Sequence, residues 1–349
     1  MYQIAFRAGC IGWLVICSSL MSMIVRAQEP NNKPLLRVGI IGLDTSHVQV
    51  FTKQINRPDL KKPPLGMRVV AAFPGGSPDL PTSRDRVAGF TKQLQEMDVQ
   101  IVDSIDQLLP LVDAVLLESV DGRKHLEQAV PVFRSGKRVF IDKPLAANLT
   151  DAIAIDLIAK QLNANWFSSS SLRFSESIRR FRKDEYQGKI QGAISWGPCS
   201  LDATHVDLYW YGIHGVESLY TAMGTGCQSV VQVASDSTDT VVGIWTDGRT
   251  GTFRGIRSGA SGFGMTVFTD KKIESDAKFD GYEPLVYEID KFLNGGVAPV
   301  SNQETLEMMT FMQAAWESKK RGGQSVVLAD IWREHLDAAQ KIVARIHTP

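Results

Sequence analysis

Between residues 33 and 143 the chain alternates short apolar runs with segments of helical spacing, and this alternation limits the possible folds most. The runs at residues 35–43, 67–73, 114–117 and 138–141 are short and apolar on both faces, as in buried parallel strands. Residues 47–56, 86–95, 105–109 and 125–135 read as helices between them. Pro74-Gly75-Gly76-Ser77-Pro78 breaks the chain after the second run. Parallel neighbours need a crossover, so this order predicts an α/β fold with a Rossmann-like, doubly wound parallel sheet over residues 34–165. Residues 151–162 close it with a helix carrying Ile155, Ile158, Ala159 and Leu162 on one face.

After about Asn165 the rhythm changes. Closely spaced strands are predicted at residues 230–233, 241–245, 251–256 and 265–268, with a hairpin turn at Asp247-Gly248. Two later helices, 284–293 and 303–319, follow. The second carries Leu306, Met309, Met312 and Trp316 as a core stripe. Residues 166–349 therefore read as a second α/β domain with a mostly antiparallel, open sheet. A length of 349 residues suits two domains.

The charge balance, 38 basic against 38 acidic residues, gives no electrostatic case for binding nucleic acid or an anionic membrane. Residues 1–27 read as an export signal: Arg7 precedes a mostly apolar stretch that ends at Val25-Arg26-Ala27. Its removal would leave no stable membrane insertion and would place the protein in the periplasm or outside the cell. The competing reading is a retained anchor. Four cysteines are present, and Cys10 and Cys17 fall in the signal. Cys199 and Cys227 would remain, either paired or as free thiols. No metal-ligand spacing of cysteines is present, and no metal site is expected.

A phosphate-binding loop belongs where the first strand turns into a helix. Such a loop wants glycines for the tight turn and the close approach, with a helix N-terminus aimed at the anion. Here the stretch runs Gly39-Ile40-Ile41-Gly42-Leu43-Asp44-Thr45-Ser46-His47, with Asp44 in the place of the second glycine. Asp44 would crowd and repel a pyrophosphate, or it or Ser46 would cap the helix. The second strand ends at Phe73-Pro74, without the acid that holds an adenosine ribose. Arg84 and Arg86 lie downstream, where a 2′-phosphate could be met.

Beyond this loop the chain resembles the glucose–fructose oxidoreductase and inositol dehydrogenase family (Gfo/Idh/MocA). Three stretches carry the resemblance most clearly. They are Val112-Asp113-Ala114-Val115-Leu116-Leu117 with the later His125, the run from Ser135 to Asp142-Lys143-Pro144-Leu145, and Leu172-Arg173-Phe174-Ser175. Gly188 to Gly192 and Glu317-Ser318 with Gly322-Gly323 add to it. Asp142 stands where the family has Glu. The resemblance implies NAD or NADP as cofactor, a sugar or polyol as substrate, and a homo-oligomer paired through the open sheet. It implies cofactor contacts from Gly39, Gly42, Asp44, Thr45, Ser46, His47, His125, Asp142, Lys143 and Pro144. It places Lys143 and His214 in catalysis, with Arg173, Asp207, Trp210, Tyr211, His214 and Glu217 around the substrate. Trp210 occupies the position of the family's Asp, so the acid–base pair with His214 is incomplete.

Three functions follow. The first is an NAD(P)-dependent oxidoreductase acting on a sugar or polyol hydroxyl. The second is a non-redox glycoside hydrolase or lyase, with His205, Asp207, His214 and Glu217 gathered round a substrate or metal and Trp196, Tyr209, Trp210 and Tyr211 as stacking faces. The third is a saccharide-binding protein without chemistry.

Overall fold

A computed structural model describes residues 34–56, 65–182, 186 and 188–346. The expected export signal, residues 1–27, lies outside the described residues. The first half of the chain runs β1 (Leu36–Ile41), α1 (Ser46–Asn56), β2 (Met67–Phe73), α2 (Pro81–Arg84), α3 (Val87–Gln95), β3 (Gln100–Ile101), α4 (Ile105–Leu108), β4 (Ala114–Leu117), α5 (His125–Arg134), β5 (Arg138–Ile141), α6 (Leu149–Gln161) and β6 (Trp166–Phe167). Its strands form one six-stranded parallel sheet in the order β3-β2-β1-β4-β5-β6. Val38, Ile40, Val115, Leu116, Phe140 and Ile141 are fully buried, because helices cover both faces. The order reverses direction between β1 and β4. In open α/β sheets, ligands bind beyond the carboxyl ends of the strands at such a switch point.

The second half runs α7 (Glu176–Arg179), β7 (Ile190–Pro198), α8 (Ile213–Met223), β8 (Cys227–Ser235), β9 (Thr238–Trp245), β10 (Thr250–Ile256), β11 (Gly264–Thr269), β12 (Ile273–Asp276), α9 (Glu283–Leu293), α10 (Asn302–Lys320), β13 (Val326–Val327) and α11 (Leu328–Ile346). Its seven strands pair as β12-β11-β7-β10-β9-β8-β13. All pairs are antiparallel except β7 with β10, so the sheet is mixed. The expected hairpin joins β9 to β10, with Gly248 at φ +82°. Helices α8 and α10 cover one face. On the other, Ile194, Val233, Val242 and Ile244 are exposed.

Leu35–Pro349 clusters as one compact unit. α9 packs against the first sheet, where Phe292 meets Phe167 edge to face at 4.9 Å. α6 lies against α5, α10 and α11. It is therefore buried nearly all round, where the sequence suggests a single apolar face. α11, a helix the sequence reading does not single out, lies on α6 along Leu328, Ile331, Ala339 and Val343. Cys199 and Cys227 are both buried free thiols with no bridge between them, and burial first of all pushes each thiol pKa up to about 12.

Candidate active site

A cleft of about 370 Å³ opens at the carboxyl ends of the first sheet, beside the switch point. One wall is the start of α1, from Thr45 to His47, with Thr82, Arg86 and Val120. Lys143 and Pro144, which follow β5, form the floor. The opposite wall comes from the second half of the chain: Trp210, Tyr211, His214, Phe263 and Tyr282. No carboxylate appears among the described residues that line it, whereas Arg86 and Lys143 do. The cleft is built for an anionic ligand with apolar or ring-like parts.

The altered loop behaves differently from either expectation. Asp44 neither projects toward the cleft nor caps α1. Its side chain is turned inward and fully buried. There Oδ2 accepts from the Ser83 hydroxyl at 2.7 Å and Oδ1 from the Val120 N–H at 2.8 Å. Burial raises its pKa, against those two donors. Thr45 is the cap instead, its Oγ1 accepting the His47 N–H at 3.1 Å. Ser46 opens the helix without capping it. Asp44 thus staples the loops after β1 and β4 together, and the repulsion expected of it is absent.

The two glycines also lie behind the cleft. Gly39 faces Leu108 and Val112, and a Cβ there would sit 3.1 Å from each. Gly42 has φ +87°, and a Cβ would fall 2.5 Å from the Ser119 backbone, so only glycine lets these loops touch. His125 is fully buried; its Nδ1 faces the Leu145 carbonyl at 3.1 Å and its Nε2 the Ser119 carbonyl at 2.8 Å. Burial holds its pKa down. It braces the two loops that carry the floor and does not reach the cleft.

The substrate set divides in two. Trp210, Tyr211 and His214 line the cleft, while Arg173, Asp207 and Glu217 do not. Arg173 and Glu217 form a buried pair at 2.7 Å, and Arg173 also bridges to Glu304. Glu217 further accepts from the Ser169 hydroxyl and the Ser170 N–H. Burial alone raises the Glu217 pKa, opposed by Arg173. Asp207 pairs with Lys319 at 2.9 Å and accepts from Gln232. His205 Nε2 accepts the Gly122 N–H at 3.0 Å, and its pKa falls to about 4 through burial first. His205, Asp207, His214 and Glu217 are thus dispersed into separate structural networks, and the set expected for a hydrolase does not assemble. Tyr209 is core, its hydroxyl donating to the Met309 carbonyl.

His214 Nδ1 lies 2.7 Å from the Ser170 hydroxyl. Burial first, then the positive charge of Lys143, lowers its pKa well below the ordinary range. The imidazole is therefore neutral near pH 7 and able to accept a proton. Lys143 Nζ lies 3.5 Å from Asp142 Oδ2 and is mostly covered. Behind it, Glu118 at the end of β4 is fully buried, a residue the sequence reading passes over. Its only signal there is a charge closing the apolar run of β4. Burial, then Asp142, raises the Glu118 pKa strongly. Asp142 moves the other way: burial opposes ionisation, but the charges of His47 and Lys143 outweigh it. Phe263 and Tyr282 were equally silent in sequence, since they reach the cleft only through the folding of distant loops.

A parallel sheet in this strand order, with a cleft at its switch point, defines a dinucleotide-binding type of two-sheet protein. Residues 36–168 match the GFO_IDH_MocA family, described as an oxidoreductase family with an NAD-binding Rossmann fold. A 1,5-anhydro-D-fructose reductase of Ensifer adhaerens is 32% identical over 96 residues, which are 27% of this chain and 28% of that protein. The chain thus aligns with just over a quarter of the length of this curated relative. The scyllo-inositol dehydrogenase of Lactobacillus casei, solved with NAD(H) and scyllo-inositol, superposes with a TM-score of 0.69 at 15% identity, covering 84% of this chain and 99% of that one. The myo-inositol 2-dehydrogenase of Lactobacillus plantarum gives a TM-score of 0.68 at 16% identity, with 84% and 99% covered. At such identities these likenesses concern the fold.

Proposed function

We propose that the protein is an NAD(P)-dependent oxidoreductase acting on a sugar or polyol hydroxyl. The carrying observation is the cleft itself: Lys143 and His214 face one space from opposite walls, with Arg86 and the start of α1 at one end and no carboxylate in the described lining. These residues suit a dinucleotide. The α1 N-terminus and Arg86 would hold phosphate oxygens, and Lys143 and Pro144 would lie at its reactive end. When bound, the nicotinamide takes up or returns a hydride. Neutral His214 accepts the hydroxyl proton at its free ring nitrogen, while Ser170 orients the ring through Nδ1. Lys143 stabilises the oxygen as charge develops on it. Trp210 and Tyr211 give aromatic faces against which a pyranose or cyclitol ring packs. This supports a cyclic substrate, in line with the inositols and anhydrofructose named for the relatives.

Titration with NADH and NADPH, followed by protein-to-nicotinamide energy transfer, tests the reading. Saturation is expected, and its absence up to millimolar cofactor would sink the proposal. Inositols and 1,5-anhydro-D-fructose are the first substrates to assay. Lys143→Ala should lower turnover by about 10² to 10⁴-fold while the far-ultraviolet spectrum is kept. Near-normal turnover would remove Lys143 from the mechanism.

We also propose export and self-association. Arg7, the apolar stretch and Ala27 support export, and a mature N-terminus at Gln28 is the expected result. A secreted fraction that retains Met1 contradicts it. The exposed Ile194, Val242 and Ile244 form one face of the second sheet and support a homodimer through that face. A monomeric wild type by sedimentation would contradict this pairing.

A further inference from the structure

Behind Lys143, three strand-end and helix-start residues converge in the interior. His47, Glu118 and Asp142 each bring a donor atom to within 4.8 Å of the others, and all three are buried. Their polar atoms are poorly satisfied. Both oxygens of Glu118, Oδ1 of Asp142 and Nδ1 of His47 have no hydrogen-bond partner among the described residues. His47 Nδ1 is 2.9 Å from Asp142 Oδ2, yet the direction is wrong for an N–H···O bond. Lys143 Nζ approaches the same oxygen, Oδ2, at 3.5 Å. The nearby cationic groups therefore attend one carboxylate oxygen and leave three bare.

Buried carboxylate oxygens without donors cost several kcal/mol in general and persist where something pairs them. A close nitrogen–oxygen contact that is not a hydrogen bond fits two atoms aimed at a third. Neighbouring ligands of a first-row ion, each about 2.1 Å from it, lie about 3 Å apart. An imidazole and two carboxylates are a donor set for a divalent transition ion such as Mn²⁺, Fe²⁺, Co²⁺ or Zn²⁺ rather than for Mg²⁺ or Ca²⁺. Two carboxylates would also balance the charge of such an ion. His47 lines the cleft, so coordination positions left by three protein ligands open toward it and admit water or a ligand hydroxyl.

We infer that His47, Glu118 and Asp142 form a binding site for a divalent first-row transition metal beneath the floor of the cleft. The site is independent of whether a dinucleotide binds above it.

The full-length chain, stripped with EDTA, is titrated with MnCl₂ while free Mn²⁺ is counted by electron paramagnetic resonance. A parallel titration with CoCl₂ reads the visible absorption of protein-bound Co²⁺. One equivalent per chain is expected. Glu118→Gln should weaken binding at least tenfold with its circular dichroism unchanged, and Glu118→Asp, which keeps the charge but shortens the reach, should weaken it less. Less than 0.2 equivalents at about 1 mM Mn²⁺ overturns the inference, as does uptake by Glu118→Gln equal to the wild type. If wild type takes up no ion while Glu118→Gln melts higher, Glu118 and Asp142 share a proton and the site is refuted. Should Glu118→Gln fail to fold, the wild-type stoichiometry and the Glu118→Asp variant decide the matter.

Discussion

Two buried charge clusters sit on opposite sides of the cleft, and they are built on opposite terms. In the second half of the chain, Arg173 is enclosed by Glu217 and Glu304, and Glu217 takes further donors from Ser169 and Ser170. In the first half, Glu118 and Asp142 meet with three oxygens that have no hydrogen-bond partner among the described residues. Both clusters lie in the same low-dielectric interior, where an unpaired charge is costly. A fully paired group of this kind fixes geometry. A half-paired one is tolerated where a ligand, an ion or a reaction makes use of it. The Arg173 cluster therefore reads as scaffold and the Glu118 cluster as site.

That contrast is open to direct attack. Its largest test is Glu217→Ala, which leaves Arg173 to Glu304 alone and takes the acceptor from Ser169 and Ser170 in the interior, and should cost about 3 to 5 kcal/mol by denaturant unfolding. A loss below about 1 kcal/mol would show that the paired cluster is not structural.

A smaller effect comes from acid. His205 belongs to the paired side, since its Nε2 accepts a hydrogen bond from Gly122. Protonation would turn that acceptor into a donor facing a donor. With a folded pKa of about 4 against an unfolded value of about 6.5, the unfolded chain holds more protons in this window. Stability should therefore fall as pH drops from about 6.5 to about 4, with His205 contributing up to about 3 kcal/mol. His205→Gln should flatten that part of the profile, and an unchanged slope would remove His205 from it.

The smallest effect should come from the unpaired side. In EDTA, Glu118→Gln replaces a buried carboxyl that has no hydrogen-bond partner among the described residues with a neutral amide of the same shape, so melting should stay within a degree or two of wild type or rise. A large fall would mean that Glu118 is already paired within the protein.

The parallel sheet was legible because its strands are buried on both faces and separated by helical segments, so local pattern and final position agree. That Lys143 and His214 line one cleft was legible through short motifs at fixed places in the chain. The Asp44 substitution misled, because sequence shows which residue replaces a glycine but not which way it turns. Its inward rotation depends on Ser83 and Val120, distant in the chain. Arg173, Asp207 and Glu217 misled for a related reason. A charged residue near a site motif looks like a ligand until its partners, Glu304, Lys319 and Ser170, arrive from elsewhere. α11 was legible in principle, since Leu328, Ile331, Leu336, Ala339, Ile342 and Val343 recur at helical spacing, but the sequence reading passes over that stripe.

The Gly122–His205 contact is a short tie between the two halves of the chain, and the Val206 N–H donating to the Ala147 carbonyl at 3.2 Å is another. Together with α9 lying on the first sheet, they rivet the jaws of the cleft at a set aperture. A molecule so fastened gauges its ligand instead of grasping it: selection falls on what already fits, and the radius of gyration should be the same before and after binding.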